Sequence, residues 1–313
     1  MPTCERCGKK LEEDARYCSY CGTPTSEAPL SNQALISEAP GTPTVEAPPQ
    51  EQAPIVEAPK PSRSKQIALV LIFLIVIAAA AVVVYQLRPR TFTPQPTQTV
   101  MGVDWSGYSV ASSLKNPQPT VTAVSGTWTV PSLTVTPGFS YSASWIGIGG
   151  QFDQTLIQTG TEHDITNGQE NYSAWYEILP ASPVYLTMSV SPGDTITASI
   201  KLQDATTNTW SISIRDTTNG QSYQTNVQYD SSMQSAEWIV ERPTVGNRIG
   251  LLSDFGSVTF TNCNAIIGSK TGSILEFPSS DFIMNNRQNN PLVAVSAPST
   301  NGTSFTVTFV SAR

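Results

Sequence analysis

The stretch PVYLTMSVSPGDTITASIKLQD, residues 183–204, decides how the larger part of this chain is read. Past its SPGD turn, Ile196, Ala198, Ile200 and Leu202 alternate with Thr195, Thr197, Ser199 and Lys201, the two-residue period of a strand with one apolar face. The same alternation recurs in TVTAVSGTWTV (120–130), GSVTF (256–260) and TSFTVTFV (303–310). Turn signals separate the runs, and DTTNG (216–220) joins two strand-like stretches as a hairpin would. No segment of this region has a helical stripe. The pattern predicts an all-β fold from about Gly102 to Arg313, an antiparallel β-sandwich of two sheets around one core.

Upstream, the composition changes three times. Cys4-x2-Cys7 and Cys18-x2-Cys21 offer thiolates two at a time from tight turns, the spacing of a structural zinc site, so residues 1–22 read as a zinc ribbon holding Zn2+. Four thiolates leave no open coordination position, which makes the module an adaptor rather than a catalyst. It could meet a cytoplasmic partner. Residues 23–64 are rich in Pro, Glu and Ala, with EAP repeated at Glu27, Glu38, Glu46 and Glu57. Such a segment is too polar to repay the entropy of ordering and reads as a disordered spacer.

Ile67 to Tyr85 then run without a charge, long enough to cross most of a bilayer, with Arg63, Lys65, Arg88 and Arg90 at the two ends. The expectation is one transmembrane helix over 65–87 and a short linker over 88–101. Zinc thiolates persist best in a reducing compartment, whereas the region after the span holds a single cysteine, Cys263. The amino terminus is therefore expected in the cytoplasm and the carboxyl-terminal domain outside the cell.

After residue 90 there are 15 acidic and 8 basic side chains, a balance of minus 7. No basic patch is available for phosphate, so nucleic acid is not an expected partner. Charges are also sparse, which favours tolerance of acid, since few native ion pairs are lost as carboxylates protonate. His163, in GTEHD, is the chain's one histidine. It reads as a surface loop residue, and a Ser/His/Asp device would have to rest on it alone. Cys263, in the alternating FTNCNAII, reads as a buried small hydrophobe.

Four stretches have an apolar side and a second side bearing Trp, Gln or Glu. In SAEWIVERP (235–243), Glu237, Ile239 and Glu241 oppose Trp238 and Val240. In SASWIGIGG (142–150), Trp145 opposes Ile146 and Ile148. Leu156 and Gln158 oppose Ile157 in TLIQTG (155–160), and Ser173, Trp175 and Glu177 oppose Ala174, Tyr176 and Ile178 in NYSAWYEILP (171–180). Placed in one sheet, the second sides make an aromatic groove suited to an extended ligand.

WIGIGG, LIQTG, AWYEILP, AEWIVE and DFGSVTFTN, in this order, resemble the glutamic peptidases of the eqolisin family, from about Asp104 to beyond Val258. The resemblance implies a sandwich of two curved antiparallel sheets with the active site on a concave face. It matches the catalytic glutamine to Gln158 and the catalytic glutamate to Glu241, with Trp105, Trp145, Trp175 and Glu177 in the substrate groove. It implies no cofactor in this domain and protein or peptide substrates outside the cell.

A carboxylate with a pKa in the acid range can take a proton from water and return it to the leaving nitrogen, while a carboxamide stabilises the oxyanion at any pH. The family usually has Asp where this chain has Gly149, Ser173 and Arg242. Fewer neighbouring carboxylates favour a mildly acidic optimum over a strongly acidic one. Two other readings fit the same residues: a non-catalytic module binding peptide or glycan, and a glycosidase using Glu177 and Glu241 as its carboxylate pair.

Overall fold

The computed structural model describes Ile75 and residues 93–313. The cysteine cluster, the spacer and the apolar span are outside the described residues, Ile75 apart. Among the described residues no helix is long and apolar enough to cross a membrane.

The chain enters through β1 (Thr97–Gly102) and β2 (Trp105–Ala111), crosses in β3 (Val121–Thr129), and returns through β4 (Phe139–Ser140) and β5 (Ala143–Gly149). Next come β6 (Leu156–Thr166), β7 (Gln169–Ile178), β8 (Val184–Tyr185), β9 (Thr195–Asp204), β10 (Thr209–Asp216) and β11 (Ser222–Gln228). β12 (Ser235–Glu241) precedes a small hairpin of β13 (Thr244–Val245) and β14 (Arg248–Ile249). β15 (Ser257–Ile267) and β16 (Lys270–Gly272) lead through a single 3-10 turn to β17 (Ser279–Met284), β18 (Val293–Val295) and β19 (Phe305–Phe309).

Two sheets result. One runs β1-β17-β2-β12-β5-β6-β7-β8, with β4 on β6; the other runs β11-β10-β9-β3-β15-β19-β18, with β16 on β15. Among the strands named above, every pairing is antiparallel except β1 on β17. The expected hairpin is β10–β11, whose turn is held by Asp216, the acceptor for the Thr218 N–H at 2.8 Å.

The core between the sheets is what alternation dictates. Ile146, Ile148, Ile157, Ala174, Trp238 and Val240 of the first sheet meet Val124, Ile196, Ile200 and Ile212 of the second. Trp238 is fully buried, and its Nε1 donates to the Ser125 carbonyl at 2.8 Å. Burying a ring of this size contributes roughly 4–6 kcal/mol from apolar area alone. The opposed strand can come this close because residue 126 is glycine, where a Cβ would lie 2.9 Å from the indole. Cys263 is a fully buried member of this core, as its alternating context suggests.

Two expectations are corrected. The linker assigned to 88–101 is in part sheet, because Thr97–Gly102 pairs in parallel with β17 and turns Val100 into an apolar cluster with Phe282. Its TQTVMG sequence is too short and polar to show an alternating stripe, so only the pairing reveals it. His163 is not a loop residue on the surface. β6 continues to Thr166, and parity carries His163 to the core face between Ile157 and Ile165, fully buried. There its Nε2 pairs with Thr161 Oγ1 at 2.8 Å, and the same hydroxyl accepts the Trp128 indole N–H at 3.0 Å.

Candidate active site

The opposite face of the first sheet carries the polar side chains. Cross-strand register aligns Ser109, Glu237, Gly147, Gln158 and Glu177 in one row across β2, β12, β5, β6 and β7. A second row, toward the end of β12, aligns Trp105, Glu241, Ala143, Glu162 and Ser173. Between them Trp145, Ile239 and Trp175 fill the floor together with Leu156 and Phe282. Trp105 packs edge-on against Trp145, ring centroids 5.0 Å apart, and against Phe282 at 5.7 Å. All the residues expected in the groove therefore share one face.

Glu241 sits diagonally from Trp145, whose indole N–H donates to its Oε2 at 2.7 Å. Burial raises its carboxyl from the usual 4.5 to about 7; the Trp145 bond opposes the rise, and the nearby negative charges of Asp104 and Glu177 add to it. Gln158 is 4% exposed, and its Nε2 donates to Glu177 Oε2 at 2.6 Å, which fixes the carboxamide. Its Oε1 has no partner. Burial raises Glu177 as well, and the bond from Gln158 opposes that rise. Gln158 and Glu241 are thus not bonded to each other; Glu177 is the group that touches one and acts on the other.

Alternation places Glu237 on this face but does not show its burial, and Gln151, Glu162 and Asp164 escaped sequence reading. Glu237 is fully buried, neither of its oxygens has a partner, and burial holds its carboxyl well above the carboxylate range. The loop between β5 and β6 reaches over its row: Gln151 accepts from Ser109 Oγ and donates to Ser280 Oγ at 2.7 Å. Glu162 and Asp164 continue the line of Gln158 along β6, and burial raises both, Asp164 to about 7. Their parity with Gln158 is the signal that would have found them.

The departures at 149 and 173 have local causes or consequences. Gly149 has φ of 93°, and a Cβ there would lie 2.3 Å from the Thr155 carbonyl oxygen, so this turn cannot accept Asp. Ser173 reaches Glu162 only at 3.5 Å. Two surface concavities, of about 530 and 250 Å³, are lined by Val135 to Gly138 with Asn167 and Gly168, and by Leu186 to Met188 with Gln221 to Tyr223. Neither includes a residue of the groove.

The described residues thus form a β-sandwich with acids and a carboxamide set among tryptophans on one sheet face. The chain belongs to the Peptidase A4 family, whose model matches residues 103–309, and is a peptidase of the glutamic type. Aspergillopepsin-2 of Aspergillus niger is 31% identical over 214 residues, covering 60% of this chain and 73% of the relative. A Scytalido-glutamic peptidase bound to a transition state analog inhibitor superposes with a TM-score of 0.56 at 22% identity, over 66% of this chain and 98% of that one. SCP-B, an eqolisin in complex with the tripeptide Ala-Ile-His, gives 0.53 at 22% identity with the same coverage. Both structures share the fold.

Residues 3–25 match a zinc-ribbon domain. Cys4, Cys7, Cys18 and Cys21 lie within that match, and a set of four paired thiolates is chemically suited to tetrahedral zinc, though its geometry is outside the described residues.

Proposed function

We propose that the protein is a membrane-anchored endopeptidase that hydrolyses peptide bonds at mildly acidic pH. Glu241 takes a proton from the attacking water and delivers it to the leaving amide nitrogen. Gln158 places an uncharged amide beside the developing oxyanion, and its Oε1 is free to orient the water. The observation that carries this reading is the Glu241 side chain, half-buried in an aromatic groove and held by the Trp145 indole N–H at 2.7 Å, with its carboxyl raised to about 7.

That value sets the pH dependence. A general base must be ionised, so kcat/KM in the free enzyme rises with pH until about 7. Activity at the upper end is limited by the fold, because burial raises the other acids of the groove as well, Asp164 to about 7. The expected optimum therefore falls at the weakly acidic end, roughly pH 6 to 7. An unfolded protein is the substrate for the test, with wild type beside Glu241→Gln. Cleavage that survives the substitution would remove Glu241 from the mechanism.

The glycosidase alternative is less favoured because Glu177 is committed to Gln158 at 2.6 Å. Placement of the catalytic domain outside the cell is supported by the uncharged run from Ile67 to Tyr85, by the thiolates upstream of it, and by the lone buried thiol downstream. Protease digestion of intact cells should remove the domain and leave the ribbon protected; the reverse pattern would overturn the orientation.

A further inference from the structure

The loop between β5 and β6 does not stay between its own strands. β12 lies beside β5, with Glu237 opposite Gly147, and β2 lies beyond it, with Glu237 opposite Ser109. Gln151, two residues past the end of β5, nevertheless reaches β2 and β17. Its Oε1 accepts from Ser109 Oγ, and its Nε2 donates to Ser280 Oγ at 2.7 Å. Ser109 and Ser280 are register partners on the face of Glu237, so Gln151 crosses β12 on the groove side of the sheet. Ser280 also accepts from Gln98 Nε2 at 3.0 Å, which brings β1 into the same network. Both serines are fully buried or nearly so, as is Glu237.

The other supports of the loop stand beside β6. Asp153 Oδ1 accepts from the Thr155 N–H and hydroxyl, both at 2.7 Å. Thr155 Oγ1 accepts from the Ser232 N–H at 3.0 Å, and the Leu156 N–H donates to the Tyr229 hydroxyl at 2.8 Å. On the β5 side Gln151 is the anchor. Its neighbour Gly150, with φ of 94°, lies against the groove: a Cβ there would be 2.9 Å from Trp105 Cη2. Trp105 meets Trp145 edge-on at 5.0 Å, and the Trp145 indole N–H donates to Glu241 Oε2 at 2.7 Å. A line of contacts therefore runs from the Gln151 carboxamide through the Gly150 backbone and two indoles to the proposed base.

We propose that Gln151 is a positioning residue for Glu241. Tied to β2 and β17, it seats the Gly150 backbone on Trp105, which sets where the Trp145 indole lies and so the hydrogen bond that favours ionised Glu241. The function of Glu241 itself rests on the peptidase reading. Gln151 carries no charge, and its bonds go to the two serines. The titratable groups around Glu241 are Asp104 ahead of β2, Glu177 of β7, and Glu162 in its own row across β5. An uncharged replacement at 151 alters none of these, so a weakened indole bond raises the carboxyl further with no new charge nearby.

The test uses the full-length chain in detergent and a peptide that the wild type cleaves, chosen without titrating side chains, with kcat/KM followed from about pH 4 to pH 8. Gln151→Leu removes both hydrogen bonds and keeps the bulk. Its maximal kcat/KM should fall roughly tenfold, and its acid limb should move up by roughly half a pH unit. Ser280→Ala removes only the partner on β17 and should show part of both effects. The double variant should be no worse than Gln151→Leu, since one interaction cannot be lost twice. Ser280→Ala decides the matter if Gln151→Leu fails to fold.

A profile scaled down with its limb in place overturns the proposal, because a merely structural loss does the same. A limb that moves down, or losses that add in the double variant, overturns it as well. Glu241→Gln, run in parallel, tests the peptidase reading separately. Cleavage lost in Glu241→Gln beside an unmoved limb in Gln151→Leu sinks only the positioning role. Cleavage that persists in Glu241→Gln sinks the catalytic assignment and the role of Gln151 with it, and absence of cleavage by the wild type overturns both.

Discussion

The two faces of the nine-stranded sheet bury titratable groups of opposite kind, and they respond to pH in opposite directions. On the groove face Glu237, Glu241, Glu162, Asp164 and Glu177 are all raised by burial. Their contribution to stability is complete below the ordinary carboxylate values and is lost as pH rises through the folded values, about 7 for Glu241 and Asp164. On the core face His163 is lowered from 6.5 to about 3 by burial. Its contribution is complete above pH 6.5 and is lost as pH falls toward about 3. One sheet thus sets both ends of its own working range. The groove is built from groups that prefer acid, and the core beneath it holds one that does not.

The largest expected effect lies on the groove face. Glu241→Gln should lower kcat/KM by about 10³-fold, the range of a lost general base, while leaving the sandwich folded. The same substitution should stabilise the protein at neutral pH. Ionising a carboxyl raised from 4.5 to about 7, at ~1.4 kcal/mol for each pH unit, costs about 3 kcal/mol that glutamine does not incur. A melting temperature higher by on the order of 5–10 °C at pH 8, and little changed at pH 4, is the calorimetric signature. Loss of activity without that stability gain would mean that the carboxyl is not held neutral by the fold.

The core face is broken by His163→Gln, which keeps an acceptor for the Thr161 hydroxyl and removes the titration. The variant is expected to be somewhat less stable at pH 7, where packing around residue 163 is disturbed, and more resistant at low pH. Its acid unfolding midpoint, followed by tryptophan fluorescence, should move down by roughly one pH unit. An unchanged midpoint would place the acid limit elsewhere. Acid tolerance, which sparse charge suggests, is therefore a balance: five raised carboxyls favour the fold in acid and one imidazole opposes it.

Glu237→Gln tests the groove face without touching the proposed catalytic pair. Its carboxyl is fully buried, both oxygens lack partners, and Asp153 adds repulsion once it ionises. The variant should narrow the difference in melting temperature between pH 5 and pH 8, with a smaller change in kcat/KM than Glu241→Gln produces. A wider difference would show that the native carboxyl is ionised and held by a partner.

How much of this was legible follows from parity. Every apolar residue of the four Trp- and Glu-bearing stretches went to the face that alternation assigns, because a buried sheet face tolerates no slip of one residue. The groove was legible for the same reason. What was not legible depends on where strands end and what lies above them. TLIQTG was read as stopping at Gly160, and the continuation of β6 to Thr166 turned a polar-looking TEHD into two groove acids flanking a core histidine. Gln151 bridges Ser109 of β2 and Ser280 of β17 beside Glu237, a contact that no spacing encodes. β1 has no pattern of its own and is defined by β17, more than 170 residues away, as the register Thr97↔Ser279 shows.

The smallest expected effect sharpens the comparison most, because it changes a pKa and not a charge. Trp145 donates the hydrogen bond that favours ionised Glu241, against the burial that disfavours it. In Trp145→Phe the ring remains apolar and the donor is gone, so the carboxyl must rise further. A charge-assisted bond of this kind is worth about 1.5 kcal/mol, and the acid limb of kcat/KM should move up by roughly one pH unit. Smaller packing around Trp105 will lower the maximum rate as well, but a packing loss scales the whole profile and leaves the limb in place. A displaced limb therefore isolates the indole N–H as the group that brings the proposed base into range. An unmoved limb would assign that pH dependence to another carboxyl of the groove, with Glu177, bonded to Gln158, the first to examine.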